Sequence, residues 1–466
     1  MPHPAAARWL RRLVGGVLGA VAVAAVATGV ALSVTDDDPA PFVEALDAPG
    51  GPLGLGETSV LLLSHCTVRA SHLGFHGYAD PTTPLLDALA DRSVVFDAHL
   101  AQAPWTKPSM GALFSGRWPR ELRVDDPVGH NRMRQILPDD ITLLAERMRG
   151  FGYATIGSVA NPNLNRQFAY DQGFDAYVQH ERTPETRHDY PSAAEVADGA
   201  LARLADVPDG QPVYIRASMF DGHEPIQFAP LDLLRMSDGE PRVRAYDAGL
   251  RSIDRHSARL IEAVRAARPN LLVVLAADHG EALRRPAHHG RGHGNFVYQT
   301  HLRTPWLLHH PDLAPRRVGE LSMNIDVVPT VLDLLGAPVP SDVDGASQAA
   351  AARGDVHEPV HDRVFAESFY RVQHKSTVVT STHQLIRDYD RQGEGSPYTD
   401  TLFAVEDWRA EHPLDQTEPE VHAALAAALT DWEAAQDLAL SGERPAEVVA
   451  PDPELTESLR ALGYVE

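Results

Sequence analysis

Cysteine is all but missing from this chain of 466 residues, and Cys66 stands alone. That excludes an internal disulfide and leaves a single thiol to be accounted for. Lysine is nearly as scarce. Of the 41 basic residues only Lys107 and Lys375 are lysines, the bias of an arginine- and alanine-rich, GC-rich coding sequence. Basic charge as a whole is short: 64 acidic residues oppose those 41, for a formal net charge of -23. A field of that sign repels polyanions, which excludes nucleic acid and argues against anionic lipid as ligands. The chain shows no internal repeat.

A long apolar run does occur, from Leu13 to Val34, preceded by Arg8, Arg11 and Arg12. About 20 such residues span a bilayer as a helix. The arginines then stay cytoplasmic and Asp36, Asp37 and Asp38 lie outside. Residues 1–34 are expected to be an N-terminal transmembrane anchor, with a cleaved signal sequence as the competing reading. In either case the body is exported. It is membrane-anchored and extracytoplasmic if the segment stays, and secreted if it is removed.

Length and pattern set the organisation. A chain this long suggests one large α/β domain plus a smaller one. Residues 35–56, rich in Pro, Gly and Asp, read as a linker. Apolar runs at 58–64, 153–159, 213–219 and 271–277 read as buried strands. Helical spacing occurs at 140–149, 193–205, 245–267 and 325–335, the last ended by Gly336 and Pro338. This alternation predicts an α/β fold with a mostly parallel sheet covered on both faces. The expected catalytic domain spans 57–345. Residues 346–466, with a helix near 420–438, form a smaller C-terminal α+β subdomain.

In open α/β sheets ligands bind just past the carboxyl ends of the strands. Three polar clusters sit at such ends: His65-Cys66-Thr67, Asp221-Gly222-His223, and Asp278-His279-Gly280-Glu281. A carboxylate and an adjacent imidazole at a strand end, such as Asp278 and His279, can face one divalent cation. Elsewhere, Pro108 suits the first turn of a helix. That puts the Thr106 hydroxyl at a helix N-terminus, where backbone donors and the helix dipole favour an anion. Lys107, beside it, is placed either to neutralise such an anion or to face solvent.

The run from Ala103 to Pro119, with Thr106, Pro108, Ser109, Phe114, Ser115 and Gly116, resembles the nucleophile segment of the sulfatase-like branch of the alkaline phosphatase superfamily. Asp278-His279 and the later Gly292-His293-Gly294 resemble that family's paired metal ligands and its group-facing histidine. Phe220-Asp221-Gly222-His223-Glu224-Pro225 is similar to its Asp-Pro-His segment, with Gly222 in place of the proline. Further counterparts are Asn161-Pro162-Asn163, Gly173-Phe174-Asp175, Asp326 with Thr330, Asp344-Gly345 and the stretch from Leu459 to Tyr464. The resemblance covers residues 57–466. His288 and His289 match no family position and read as loop residues. The resemblance implies an alkaline-phosphatase-like three-layer sandwich. It implies Thr106 as nucleophile, Asp278 and His279 as metal ligands, His293 facing the transferring group, and His223 as a donor or general acid at the leaving oxygen.

One departure matters. The family's first strand ends in a metal-binding aspartate, and here Cys66 holds that position, with Ser71 replacing a second acidic residue. A thiolate is a good ligand for zinc and a poor one for calcium or magnesium. The expected site is therefore one divalent ion, zinc favoured over calcium, magnesium or manganese, held by Cys66, Asp278, His279 and Thr106. A decayed metal site is the other reading. The family's formylglycine needs a cysteine or serine in a Cys/Ser-x-Pro-x-Arg signal. Thr106 cannot supply it, and Met110 stands where the arginine would be. A metal-coordinated threonine alcohol is then the expected nucleophile. The expected function is an exported metallohydrolase or transferase cleaving sulfate or phosphate esters, acting on an ester substrate such as an envelope glycan or lipid. The alternative is a catalytically silent domain that binds anionic envelope polymers or glycans.

Overall fold

The computed structural model describes residues 38–124, 135–181, 191–224, 226, 236, 240–283, 292–370, 373–390, 397–407, 410–440 and 448–462. The anchor expected at 1–34, and His288 and His289, lie outside the described residues. Among the described residues no helix is long and apolar enough to cross a membrane.

Continuous apolar runs make strands buried on both faces. β1 (Ser59–His65) and β6 (Leu271–Ala277) are buried at every residue. They belong to an eight-stranded sheet with β2 (Val94–Leu100), β3 (Ala154–Val159), β4 (Ala176–Gln179), β5 (Val213–Ser218), β7 (Trp306–His309) and β8 (Arg316–Met323). The order is β4-β3-β5-β1-β6-β7-β2-β8, parallel except where β7 runs against β6 and β2. Alternation along β1 divides the core. Val60 and Leu62 pack on one face of the sheet, Leu61 and Leu63 on the other. Each face is covered by helices: Thr106–Ser115, Leu144–Gly150 and Val327–Leu334 on the first, Pro84–Ala90, Ala193–Leu204 and Pro241–Ala267 on the second. The result is the expected three-layer α/β arrangement.

Beyond it lies the smaller antiparallel sheet, β9 (Val364–Ser368), β10 (Lys375–Val379), β11 (His383–Asp388) and β12 (Thr399–Ala404), in the order β12-β11-β10-β9. Helix Pro419–Leu440 packs Leu425 and Leu429 on Val378, Leu385 and Leu402. Arg387 ties the layers together, with ion pairs of 2.8 Å to both Asp400 and Glu433.

One expectation is corrected. The stretch 35–56, read as a linker, contains a helix at Pro39–Asp47. Pro39 takes the first-turn position and the Asp38 carboxylate accepts from the Ala40 N–H. Phe42 and Leu46, four residues apart on one face, are each 2 % exposed within the core. The Pro/Gly/Asp composition masked a capped amphipathic turn. Phe42→Ala is expected to cost about 3–5 kcal/mol, as for a core phenylalanine. Denaturant unfolding measures it, and an unchanged midpoint would restore the linker reading.

Candidate active site

Strand register assembles the site. β1 and β6 pair in parallel from Ser59↔Leu271 to His65↔Ala277, so the next residues, Cys66 and Asp278, leave the sheet side by side. The Cys66 N–H donates to the Met219 carbonyl just past β5. Asp221 and His223 follow that strand, and Asn161 follows β3. Thr106 opens the helix Thr106–Ser115, which Gly116 closes in a left-handed conformation (φ 76°). All three sequence clusters and the Thr106 helix thus meet at one end of the sheet.

Cys66, Asp278 and His279 are fully buried, and their potential ligand atoms lie within 4.8 Å of one another. Thr106 Oγ1 is 3.7 Å from Cys66 Sγ. The Asp278 carboxylate is half satisfied. Its Oδ1 accepts from the Thr67 N–H at 3.0 Å and the His279 N–H at 2.7 Å. Its Oδ2 is buried with no hydrogen-bond partner, 3.3 Å from His279 Nε2, which has none either. His279 Nδ1 donates to the Gly280 carbonyl at 2.9 Å, so in the neutral ring Nε2 carries the lone pair. Burial lowers the His279 pKa to about 4, which keeps that ring neutral near pH 7. Two lone pairs therefore face each other in a buried site, an arrangement a cation between them resolves. Burial first, and the Asp278 charge second, pushes the Cys66 thiol well up. Burial likewise raises Asp278. A bound cation reverses both shifts by favouring the charged ligands. One sulfur, one carboxylate and one imidazole fit zinc, with Nδ1 of His279 anchored as metal-binding histidines usually are.

Thr67 stands in a left-handed conformation at φ 58°, which is unusual for a β-branched residue. Its Oγ1 donates to the Cys66 carbonyl at 2.7 Å, and its own carbonyl accepts from Tyr246 Oη at 2.6 Å. These bonds hold the turn that aims its N–H at Asp278. From below, Ser109 Oγ donates to the Asp278 carbonyl at 2.5 Å.

The histidines form a second row. The His293 ring lies 4.4 Å from that of His279 and 4.9 Å from that of His223. His293 Nδ1 bonds Glu281 Oε2 at 3.0 Å, and His223 Nδ1 donates to the Glu224 carbonyl at 2.6 Å. Burial lowers His223 to about 3 and His293 to about 4, the latter helped by the Arg242 charge.

Lys107 is a correction. It is fully buried, not solvent-facing, and its Nζ donates to the Gln135 carbonyl at 3.1 Å and sits 3.2 Å over the Phe168 ring. The physical reason is helical geometry: neighbouring residues point roughly 100° apart around the axis, so Lys107 diverges from Thr106. The structure gathers Cys66, Thr106, Asp278 and His279 in one cluster, and His223 and His293 in the adjoining row. It sends the Lys107 Nζ elsewhere.

Four neighbours carried no role in the sequence reading: Thr67, Ser109, Asn161 and Glu281. Glu281 had a signal, since it sits in the same strand-end cluster as Asp278. Asn161 had a weaker one, its place just past the strand at 153–159. Its Nδ2 lies 3.2 Å from both Cys66 Sγ and Thr106 Oγ1. Asn163 is fully buried, and neither atom of its side-chain amide has a hydrogen-bond partner.

The buried histidines predict acid sensitivity. Among the described residues, ten have lowered pKa values: His65, His76, His99, His180, His223, His279, His293, His301, His309 and His310. Between pH 6.5 and about 4 the unfolded chain takes up protons that the folded one refuses, so stability falls as pH falls. Six carboxylates raised by burial act the other way: Asp87, Asp221, Asp254, Glu262, Asp278 and Glu281. The histidines outnumber them. Thermal unfolding at pH 7 and pH 5 should show a lower midpoint at pH 5, and a rise would contradict this balance.

A large, mostly parallel sheet carries polar clusters that converge past its central strands, with a hydroxyl at a helix N-terminus beside them. The family model described as Sulfatase matches residues 59–337, and that described as N-sulphoglucosamine sulphohydrolase, C-terminal, matches residues 288–400. The chain belongs to the sulfatase family. It is 23% identical over 365 residues to the Delta 4,5-hexuronate-2-O-sulfatase of Bacteroides thetaiotaomicron, covering 66% of this chain and 74% of that protein. It is 24% identical over 363 residues to arylsulfatase A of Bos taurus, covering 67% and 71%. Among solved structures it superposes on the phosphonate monoester hydrolase of Silicibacter pomeroyi with a TM-score of 0.64 at 17% identity, over 81% of this chain and 96% of that one. A 2-O GAG sulfatase gives a TM-score of 0.65 at 18% identity, over 87% and 96%.

Proposed function

We propose that this protein is an exported hydrolase or transferase of sulfate or phosphate esters, with Thr106 as nucleophile and a zinc ion held by Cys66, Asp278 and His279. One observation carries the reading: the unpartnered Asp278 Oδ2 and His279 Nε2 face each other beside Cys66, with Thr106 Oγ1 next to the sulfur. The ion supplies positive charge that lowers the pKa of a nearby alcohol and attracts anionic ester oxygens.

The chain's own residues do the rest. Thr106 Oγ1, at the helix N-terminus, attacks phosphorus or sulfur in line and forms a Thr106 ester. The bond to the alcohol oxygen breaks, and the proton lost by Thr106 is the one that ends on that leaving oxygen, by way of a histidine Nε2. His223 and His293 each hold a proton on Nδ1, against the Glu224 carbonyl and Glu281 respectively, so Nε2 is where each gives or takes a proton. Because His223 is neutral with its Nδ1 proton committed, it serves as general acid only after Nε2 has gained a proton. Water or an acceptor alcohol then releases the Thr106 ester. The Cys66 position favours zinc over calcium, magnesium or manganese. Unmodified Thr106 and the fold shared with a phosphonate monoester hydrolase favour phosphate chemistry, and the sulfatase relatives favour sulfate esters. The apolar run from Leu13 to Val34 supports a membrane-anchored, extracytoplasmic placement, which would put envelope glycans or lipids within reach as substrates. Cys66 in place of the family aspartate favours the second reading, a silent domain that binds anionic envelope polymers.

Metal analysis of the purified protein beside a panel of aryl sulfate, phosphate monoester and phosphate diester tests the proposal. Turnover of one class with stoichiometric zinc is expected. No turnover and no metal, with retention on an anionic glycan, would establish the silent domain instead.

A further inference from the structure

We propose that Asn161 is a positioning residue that fixes the Thr106 hydroxyl beside the Cys66 sulfur; the inference rests on reading Thr106 as the nucleophile. The orientation of its amide follows from its partners. Asn161 Oδ1 accepts from the Asn163 N–H at 2.9 Å, so the NH2 group must face the other way. There Nδ2 lies 3.2 Å from Cys66 Sγ and 3.2 Å from Thr106 Oγ1. Its two N–H groups are thus divided between sulfur and hydroxyl oxygen, and both atoms act as acceptors.

Three consequences follow. Thr106 Oγ1 spends a lone pair on Asn161, which selects one side-chain rotamer and directs the oxygen to the Cys66 side, 3.7 Å from Sγ. The Thr106 proton is left to point away from Asn161. The second amide hydrogen takes up a lone pair of the Cys66 sulfur in the same way, at 3.2 Å. Asn161 is itself held: it is 1 % exposed, it lies just past β3, and Pro162 follows it at the start of a short helical turn. Asn161 therefore carries two separable roles, capping its own turn through Oδ1 and holding the nucleophile through Nδ2.

That separation supplies the test. Serine and aspartate both keep an acceptor for the Asn163 N–H, since both are good caps, but neither carries the amide donors. N161S and N161D are therefore expected to fold with the turn intact. N161S is expected to lose about 10²-fold in kcat on the best ester of the panel, with KM within about threefold, as misplacement of a reacting group does. A crystal structure of N161S is expected to show Thr106 Oγ1 in another rotamer or divided between two. Wild-type kcat in both variants, or Thr106 Oγ1 still 3.7 Å from Cys66 Sγ in N161S, would overturn the proposal and leave only the cap. If N161S fails to fold, N161D supplies the same two readouts. Should the wild-type protein turn over none of the esters, the hydrolase reading fails on its own, while the Thr106 position in the variant structure still decides this one.

Discussion

Thr106→Ala is expected to reduce turnover of any ester this protein cleaves by about 10⁴-fold or more, the scale seen when a covalent nucleophile is removed. The argument is geometric. Thr106 is fully buried and opens a ten-residue helix, so its oxygen has one position to occupy, between Asn161 Nδ2 and Cys66 Sγ. Alanine keeps the helix and removes only the oxygen and the methyl group. Folding should therefore survive, and the unfolding midpoint of the variant should stay near that of the parent. Thr106→Ser keeps the oxygen and is expected to retain most activity, losing some to the freer rotamer. Activity in Thr106→Ala equal to the parent would remove this residue from the chemistry. It would leave water, activated elsewhere in the cluster, as the attacking group.

The second large effect concerns stability. Without an ion the protein keeps a buried carboxylate oxygen and an imidazole nitrogen facing each other unpaired. A cation bound only by the folded chain stabilises it by about 4 kcal/mol when present at roughly a thousand times its dissociation constant. For a chain of this size that is about 4 °C in the unfolding midpoint. Chelation is expected to remove this increment and zinc to restore it. In Cys66→Ser the restored increment is expected to be smaller, because a serine hydroxyl is a much weaker zinc ligand than a thiolate. An unfolding midpoint unmoved by chelator and by zinc would remove the ion from the account.

How much of this was readable in advance depended on the kind of signal. The central strands were legible because a parallel sheet buried on both faces demands unbroken apolar runs, and β1, β3, β5 and β6 lie within a residue of where those runs fall. The convergence of Cys66, Asp278 and His223 followed from the same fact, since residues just past neighbouring parallel strands must emerge together. The helix Pro39–Asp47 was hidden because its buried pair, Phe42 and Leu46, sits among residues typical of a linker. Lys107 was misplaced because adjacency in sequence says nothing about direction around a helix. Asn161 was visible as a position just past a strand, but its contacts, like the left-handed Thr67, were not: both depend on side chains and backbone angles set by long-range packing against Cys66, Asp278 and Tyr246.

The most direct test of the central claim is zinc K-edge X-ray absorption on the purified protein beside its Cys66→Ser variant. A single sulfur at about 2.3 Å among lighter ligands is predicted for the parent, and its loss in the variant. A shell of oxygen and nitrogen alone in the parent, or no bound zinc in either protein, would contradict the account.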